Sequence, residues 1–148
     1  MFQILYASSA TRHLSAPELD ALLQVCRRNN ATSDVTGLLL YCDGNFIQLL
    51  EGEENAVRAL YDRILRDPRH WGLFVLQEGE TERREFETWS MGYCAIEPGE
   101  QPVLDTAFVL TAESLEQQLA GDLSLEVLTF MRNFYRITRG YRDQAEAR

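Results

Sequence analysis

Neutral polar side chains in apolar surroundings are the first candidates for chemistry in this sequence. Gln48 lies in the apolar stretch 45–52, where strand geometry would put it on one face with Phe46 and Leu50. A buried carboxamide needs partners, because each donor or acceptor left unpaired costs about 1–3 kcal/mol. Either a neighbouring backbone or serine group satisfies it, or a ligand with both donor and acceptor edges does.

Other polar residues gather where helices are expected to end. Asn29 and Asn30 follow the first apolar helical stripe, and a basic group follows the second: Arg63, Arg66, Arg69 and His70. Asparagines of this kind cap helices, and cations at a helix C-terminus interact favourably with the helix dipole. The same side chains could instead bind the polar edge and the phosphates of a ligand.

Composition excludes several classes of function. The chain has 148 residues, a hydrophobic fraction of 45% and a net charge of −9. It is therefore expected to form a globular core and to bind no nucleic acid. Neither a signal peptide nor an apolar run of membrane length is visible, so no membrane partner is expected. No Walker A or G-x-G-x-x-G motif is present.

The cysteines and histidines point away from redox and metal chemistry. Cys26, Cys42 and Cys94 form no C-x-x-C pair and lie in apolar contexts. We interpret them as reduced core residues of a cytoplasmic protein. His13 and His70 have no cysteine or carboxylate at ligand spacing, so no metal site is predicted.

Hydrophobic periodicity predicts the elements that must position these residues. The predicted strands cover Phe2–Ser8, Val35–Cys42, Asn45–Glu51, Leu73–Glu78 and part of Thr88–Ile96. The predicted helices run from a capping box at Ser15–Glu18 to near Asn30, over Glu54–Asp67, from a Thr111 cap, and from about Leu123 to Arg139, where Gly140 ends the helix. Asp43-Gly44 predicts a type I′ hairpin turn, and Pro98 to Pro102 a linker.

This order of elements predicts an α+β fold, a ferredoxin-like βαββαββ sheet with two helices on one face. The strands are apolar on both faces, so a C-terminal helical pair is expected to cover the other face. We therefore predict two units, a sheet domain over residues 1–97 and a helical cap over residues 98–148. The first and third strands of such a sheet are neighbours, which would set Tyr6 beside Gln48.

A slot between the two helices would then have a polar floor of Tyr6 and Gln48 and apolar walls that include Leu22, Cys26 and Ile64. Such a slot suits a flat heteroaromatic ring. The asparagines could bind an imide edge of that ring, and the basic group could meet a phosphate at the open end.

Several short motifs together resemble BLUF domains, which are blue-light sensors that hold FAD noncovalently. The resemblance covers about residues 1–97, and the trailing helices are similar to the caps of short, stand-alone BLUF proteins. The motifs are Leu5-Tyr6-Ala7-Ser8, Arg28-Asn29-Asn30, Thr36-Gly37-Leu38-Leu39, Phe46-Ile47-Gln48-Leu49-Leu50-Glu51-Gly52, Arg69-His70 and Phe86-Glu87-Thr88-Trp89-Ser90-Met91.

The resemblance implies a role for each site residue. Tyr6 would donate an electron and a proton to the excited flavin, and Gln48 would be the hydrogen-bonding switch between them. Asn30, helped by Asn29, would hold the pyrimidine edge of the ring. The ring walls would be Leu22, Cys26, Phe46 and Ile64, while Arg63, Asp67, Arg69 and His70 would lie toward the ribityl chain and phosphates. Trp89 and Met91 would carry the change outward.

The resemblance also implies the cofactor and the kind of output. FAD is the expected cofactor, with FMN or riboflavin as substitutes. No phosphodiesterase or cyclase segment follows, so we expect a sensor without enzymatic activity that signals to a downstream protein in trans. Exposed apolar positions on the final helix favour a homo-oligomer, with a dimer as the first expectation.

Two other functions fit parts of the sequence. Ferredoxin-like domains include acylphosphatases, and Arg12 follows the first strand where such an enzyme needs an arginine. The loop lacks a phosphate-cradling glycine, however. Alternatively, Tyr6 and Gln48 are satisfied core residues of an interaction module with no cofactor. Hydrolysis of acetyl phosphate, or a folded protein that gains no colour with FAD, would favour these alternatives.

Overall fold

The computed structural model describes residues 1–94, 107–121 and 123–146, with six strands and four helices in these ranges. The strands are β1 (Phe2–Ala10), β2 (Thr36–Cys42), β3 (Asn45–Gly52), β4 (His70–Glu80), β5 (Trp89–Tyr93) and β6 (Ala107–Val109). The helices are α1 (Ala16–Ser33), α2 (Glu54–Leu65), α3 (Ala112–Gln118) and α4 (Leu125–Glu146). The predicted linker at Pro98 to Pro102 lies outside the described residues.

One sheet with the strand order β4-β1-β3-β2-β5-β6 organises the fold. The first four strands pair antiparallel, whereas β2–β5 and β5–β6 are parallel. This is the predicted ferredoxin-like arrangement, in which β1 and β3 are central neighbours. The sheet contains one more strand than predicted. The three residues of β6 are too few for an alternating pattern to stand out in the sequence.

The two sheet faces are covered by different helix pairs, as predicted. On the face of Tyr6, Phe2 and Ile4 pack with Val57 and Leu60 of α2. The neighbouring part of this face, which includes Leu39, Phe46, Trp89 and Met91, packs against Leu19 and, in part, Leu22 and Cys26 of α1. On the opposite face, side chains of β1, β2 and β3 pack against α3 and α4: Leu5, Leu38, Leu40, Ile47 and Leu49 against Leu115, Leu119, Val127 and Met131.

Local signals in the sequence fix the start of α1 and the β2–β3 hairpin. Ser15 accepts a hydrogen bond from the amide of Glu18, and the Glu18 side chain returns the contact, so the predicted capping box is present. Asp43 and Gly44 have φ angles of 50° and 84°, as a type I′ turn requires. This turn pairs Cys42 with Asn45 and thereby sets Leu39 opposite Gln48.

Several predicted element ends are wrong. Helix α1 continues one turn past Asn29 and Asn30 to Ser33 and ends where Asp34 adopts a left-handed conformation with φ 55°. The asparagines are therefore helical residues, not caps. Helix α4 continues through Gly140 to Glu146, because one glycine costs a helix only about 1 kcal/mol.

Helix α2 ends at Leu65, before the predicted Asp67, and β4 starts at His70, before the predicted Leu73. Residues 66–69 therefore form a turn between the two elements. His70 belongs to the strand beside Ala10 of β1, so it is not a residue of the helix terminus.

The interpretation of all three cysteines as reduced is also wrong. Cys42 and Cys94 form a disulfide, with Cα atoms 5.0 Å apart, while Cys26 is a free thiol. The parallel pairing of β2 with β5 continues past Tyr41, whose carbonyl accepts a hydrogen bond from the Cys94 amide. Cysteines 52 residues apart thus meet through a strand pairing that their spacing in the sequence does not reveal.

Candidate ligand-binding site

A slot opens between α1 and α2 above the centre of the sheet, with a volume of about 230 Å³. Its lining comes from α1, α2, four strands and the turn before β4: Tyr6, Leu22, Val25, Cys26, Asn29, Asn30, Leu39, Phe46, Gln48, Leu60, Arg63, Ile64, Asp67, Arg69 and His70. This volume is below the roughly 300–1,000 Å³ of pockets that enclose a whole drug-sized ligand. The slot therefore suits a flat ring whose substituents extend beyond it.

Tyr6 and Gln48 form the polar floor of the slot. They are direct partners across β1 and β3, and each is 3% exposed. The Tyr6 hydroxyl donates a hydrogen bond to Oε1 of Gln48. Burial raises the pKa of the Tyr6 phenol well above its usual value of 10, so this group is a neutral donor at physiological pH.

The amide nitrogen of Gln48 donates to no acceptor among the described residues, although the side chain is buried. This nitrogen is not among the enclosed polar atoms without a partner, so it opens onto the slot. The carboxamide is thus satisfied by protein at its oxygen end, and its nitrogen end is available to an acceptor in the slot.

Asn30 joins the slot to β5. In the amide orientation that satisfies both ends, its nitrogen donates to the carbonyl of Cys26 at 3.1 Å. Its oxygen then accepts from the indole N–H of Trp89 at 2.5 Å. Asn30 is buried on the inner side of α1, whereas Asn29 is partly exposed at the rim.

The open end of the slot carries charged groups. The Arg69 guanidinium contacts both carboxylate oxygens of Asp67, with Nε at 2.9 and 3.0 Å, and holds the pKa of Asp67 below its usual value. His70 lies 2.7 Å from the carbonyl of Ile64 through Nε2, which must therefore carry the proton. Arg63 forms no ion pair with any described residue.

Cys26 contributes a neutral wall. Burial raises the pKa of its thiol to about 11, so the group stays protonated at physiological pH. A protonated, buried thiol behaves as a small apolar side chain.

The slot contains the residues predicted to bind the ligand, together with Tyr6, except that Arg66 of the basic group does not line it. Their roles toward a ligand stay predictions. Three further lining residues were not predicted: Val25, Leu39 and Leu60. The sequence contains a signal for each of them. Leu39 lies opposite Gln48 in the register set by the hairpin turn, and Leu60 lies on the same helix face as Ile64, one turn before it. Val25 precedes Asn29 by the same spacing.

The two predicted relay residues lie beside the slot without lining it. Trp89 and Met91 are 7% and 0% exposed and face the same side of the sheet as Leu39. Trp89 reaches the slot through Asn30. Arg12, the residue behind the enzyme alternative, instead pairs with Glu18 at the start of α1 and lies outside the slot.

Two further features, a membrane-spanning helix and a metal cluster, are absent from the described residues. No helix among them is both long and apolar enough to cross a membrane. Within the same part of the chain, no three histidine, cysteine, aspartate or glutamate side chains cluster in a way that could hold a metal ion.

Comparison with known proteins identifies the family whose pattern this chain matches. A family model described as "BLUF: Sensors of blue-light using FAD" matches residues 1–92. Photoactivated adenylate cyclase subunit beta of Euglena gracilis is 38% identical over 87 residues, which are 58% of this chain and 10% of the relative. The blue light- and temperature-regulated antirepressor BluF of Escherichia coli (strain K12) is 36% identical over 73 residues, 49% of this chain and 18% of the relative.

A solved structure agrees with the sequence comparisons. The dark-state structure of the BLUF protein BlrB has a TM-score of 0.58 and 27% identity, and covers 62% of this chain and 70% of its own. The two curated relatives named above are each matched over less than a fifth of their own length.

Proposed function

This chain belongs to the BLUF family of flavin-using blue-light sensors, and from that premise we propose that Tyr6 and Gln48 carry its photochemistry. The observation that carries the proposal is the hydrogen bond from the Tyr6 hydroxyl to Gln48 on the floor of the slot. The amide N–H groups of Gln48 donate a hydrogen bond to no described residue, and this supports the fit of a flavin. A flavin ring offers the acceptor atoms that this amide lacks.

Other features of the slot also suit a flavin. Its walls are apolar, Asn30 offers a carboxamide at one side, and cationic groups lie at the open end. We propose that Asn30 and Asn29 hold the pyrimidine edge between walls that include Leu22, Cys26, Phe46 and Ile64. Arg63, Asp67, Arg69 and His70 would then hold the ribityl and phosphate groups. FAD is the proposed form, with FMN or riboflavin as substitutes, and chromatography of the cofactor released from purified protein would identify it.

When bound, the flavin supplies absorption of blue light and, once excited, an acceptor for one electron. Tyr6 is the proposed electron donor. Loss of that electron would make the phenolic proton strongly acidic, so Oε1 of Gln48 would take it along the existing hydrogen bond while the amide nitrogen released a proton toward an acceptor atom of the ring.

Gln48 is suited to act as the switch because its two ends are alike in shape and opposite in hydrogen-bonding sense. Rotation or tautomerisation of its amide reverses donors and acceptors without changing the packing. We expect the new pattern to strengthen a hydrogen bond to a flavin carbonyl and so to shift the absorption slightly to the red.

The visible spectrum tests this proposal. Protein loaded with FAD should show a small, reversible red shift after blue light. Tyr6→Phe and Gln48→Leu should keep the flavin but lose the stable shift. Tyr61→Phe is a matched control, because the Tyr61 ring lies 5.6 Å from the Tyr6 ring and its hydroxyl bonds to neither Tyr6 nor Gln48.

Two results would contradict the proposal. A normal photocycle in Tyr6→Phe would exclude its role as donor. A folded wild-type protein that gains no visible absorbance with FAD would favour the interaction module instead.

For the output, we propose that the change at Gln48 reaches Trp89 and Met91 on β5 and alters contacts with another protein in trans, without enzymatic activity. The division into a flavin-binding unit, residues 1–97, and a helical cap, residues 98–148, is part of this proposal. The family match over residues 1–92 and the packing of α3 and α4 on the sheet support it.

We further propose that the chain self-associates as a dimer, as expected from the sequence, but through the edge strand β4 and not through the final helix. Trp71 and Phe74 of this strand are 63% and 67% exposed, and exposed apolar side chains on a sheet edge favour association. Sedimentation velocity should show a dimer that Phe74→Ser weakens. Leu125→Ser removes an equally exposed apolar side chain from α4 and should leave the dimer intact.

A further inference from the structure

The segment of residues 84–86, named here the junction, lies just before β5 and is held by a buried carboxylate. Glu51, near the end of β3, is 0% exposed, and its two oxygens accept the backbone N–H groups of Glu85 at 2.7 Å and Phe86 at 2.8 Å. Burying a carboxylate is costly unless it is hydrogen-bonded. This contact therefore fixes the position of the junction relative to β3.

The junction is also bound to β2 and to the end of α1. The Thr36 hydroxyl donates to the carbonyl of Phe86 at 2.8 Å. Arg84 donates to the Thr36 hydroxyl at 2.7 Å and to the carbonyls of Glu51 and Asp34 at 3.1 and 2.9 Å. A displacement of β3 relative to β2 would therefore change hydrogen bonds of all three junction residues.

On its other side, the junction contacts the start of α4. Oε2 of Glu85 accepts the backbone N–H of Ser124 at 2.9 Å. The Ser124 hydroxyl accepts from the amide of Val127, so Ser124 caps the helix. A carboxylate at a helix N-terminus interacts favourably with the helix dipole. Glu85 thus links the junction to the element that covers the sheet face opposite the slot.

We infer that Glu51 and Glu85 are positioning residues that transmit the light-induced change at Gln48 to α4. The inference rests on the proposed photochemistry of Tyr6 and Gln48. Glu51 follows Gln48 by three residues, about 10 Å along the strand, and projects from the opposite face of the sheet. The end of β3 therefore connects the slot side of the sheet to two other parts of the molecule. One is the junction that leads into β5, and the other is α4.

The test compares light and dark hydrogen exchange in the full chain loaded with FAD. The readout is the light-minus-dark difference for the backbone amides of residues 124–131, with the visible red shift recorded on the same samples. Glu85→Ala should keep the red shift and lose the difference in α4. Glu85→Gln keeps an acceptor for the Ser124 amide and should restore most of it. Glu87→Ala, an exposed glutamate close by, should behave like the wild type.

A purely structural role predicts a different pattern. In that case Glu85→Ala would speed exchange of α4 equally in the dark and in the light, and the difference would survive. That result, or a wild type whose red shift comes with no change in α4, would overturn the coupling alone. Absence of a red shift in the wild type would instead overturn the photochemistry on which the coupling rests.

A second variant acts at the other end of the connection. Glu51→Gln keeps the shape of the buried side chain but replaces one acceptor with a donor that opposes a junction N–H. It should keep the red shift and reduce the light-minus-dark difference in α4. An undiminished difference would contradict the role of Glu51.

Discussion

At the scale of single residues, the site depends on matching hydrogen-bond donors with acceptors. The Tyr6 hydroxyl satisfies the oxygen of Gln48, and the Trp89 indole satisfies the oxygen of Asn30. Both amides are thereby fixed at one end by protein. Their opposite ends differ, because Asn30 donates to the carbonyl of Cys26 whereas Gln48 has no described acceptor. Gln48 is therefore the amide that a ligand can reorient.

The phenol of Tyr6 should make the photocycle insensitive to pH over a wide range. Burial raises its pKa well above 10, so the neutral form persists. The amplitude of the red shift should stay constant from about pH 6 to about pH 10. The contribution of this group to stability is fully present below the unfolded pKa and is lost progressively as the pH rises from there through the higher folded pKa.

The measurement is the light-minus-dark absorbance at each pH, with the unfolding midpoint followed in parallel. A fall in amplitude centred below pH 10, with the fold intact, would show that Tyr6 ionises readily and is not buried as described.

Asn30 should contribute to flavin retention more than Trp89 does. Asn30→Ala removes the proposed contact with the ring and leaves the indole N–H without its acceptor, and we expect flavin affinity to fall by about 1–3 kcal/mol. Trp89→Phe keeps an aromatic ring and removes only one hydrogen bond, about 0.5–1.5 kcal/mol. Titration of the apoprotein with FAD measures both. Equal losses would mean that Asn30 acts through Trp89 and not on the ring.

At the scale of elements, the hairpin and the helix starts could be predicted because each rests on a local signal. Asp43-Gly44 sets the β2–β3 register, and with it the position of Leu39 opposite Gln48. The end of α1 was less accessible, since Asn29 and Asn30 resemble caps and nothing in the sequence shows the left-handed turn at Asp34. Strand β6 could not be predicted either, because it forms by pairing with β5, and this pairing is part of the tertiary structure.

The close approach of β2 and β3 at Gly37 should be intolerant of any side chain. A Cβ at this position would lie 1.8 Å from the carbonyl oxygen of Leu49, and φ is 152°. Gly79 has a φ of 155° with open space around it, which makes it a matched control. We expect Gly79→Ala to lower the free energy of unfolding by about 1–2 kcal/mol and Gly37→Ala by about 3 kcal/mol or more.

Urea unfolding measures both values, and the excess for Gly37→Ala reports the clash. Equal losses would mean that backbone conformation alone requires glycine at Gly37. A loss of the red shift in Gly37→Ala at intact flavin content would place this contact in the path from β3 to β5, because Gly37 is also the register partner of Trp89.

At the scale of the whole molecule, both layers of the fold follow from one feature of the sequence. Strands that are apolar on both faces need cover on both, and this predicted the C-terminal helices against the second face. The pairing of Cys42 with Cys94 did not follow, because it requires that β5 lie parallel to β2. The disulfide also removes one of the observations behind the expected cytoplasmic location.

The disulfide links the β2–β3 hairpin to the end of β5, and its removal should lower the stability of the whole fold. Cross-linking residues 52 apart restricts the unfolded chain, so reduction should lower the free energy of unfolding by about 2–4 kcal/mol. Urea unfolding with and without dithiothreitol measures this.

The double variant Cys42→Ala/Cys94→Ala retains Cys26 and should unfold at the same urea concentration with and without reductant. Thiol titration in denaturant should find one free thiol before reduction and three after it. Three thiols in freshly purified, unreduced protein would contradict the bond.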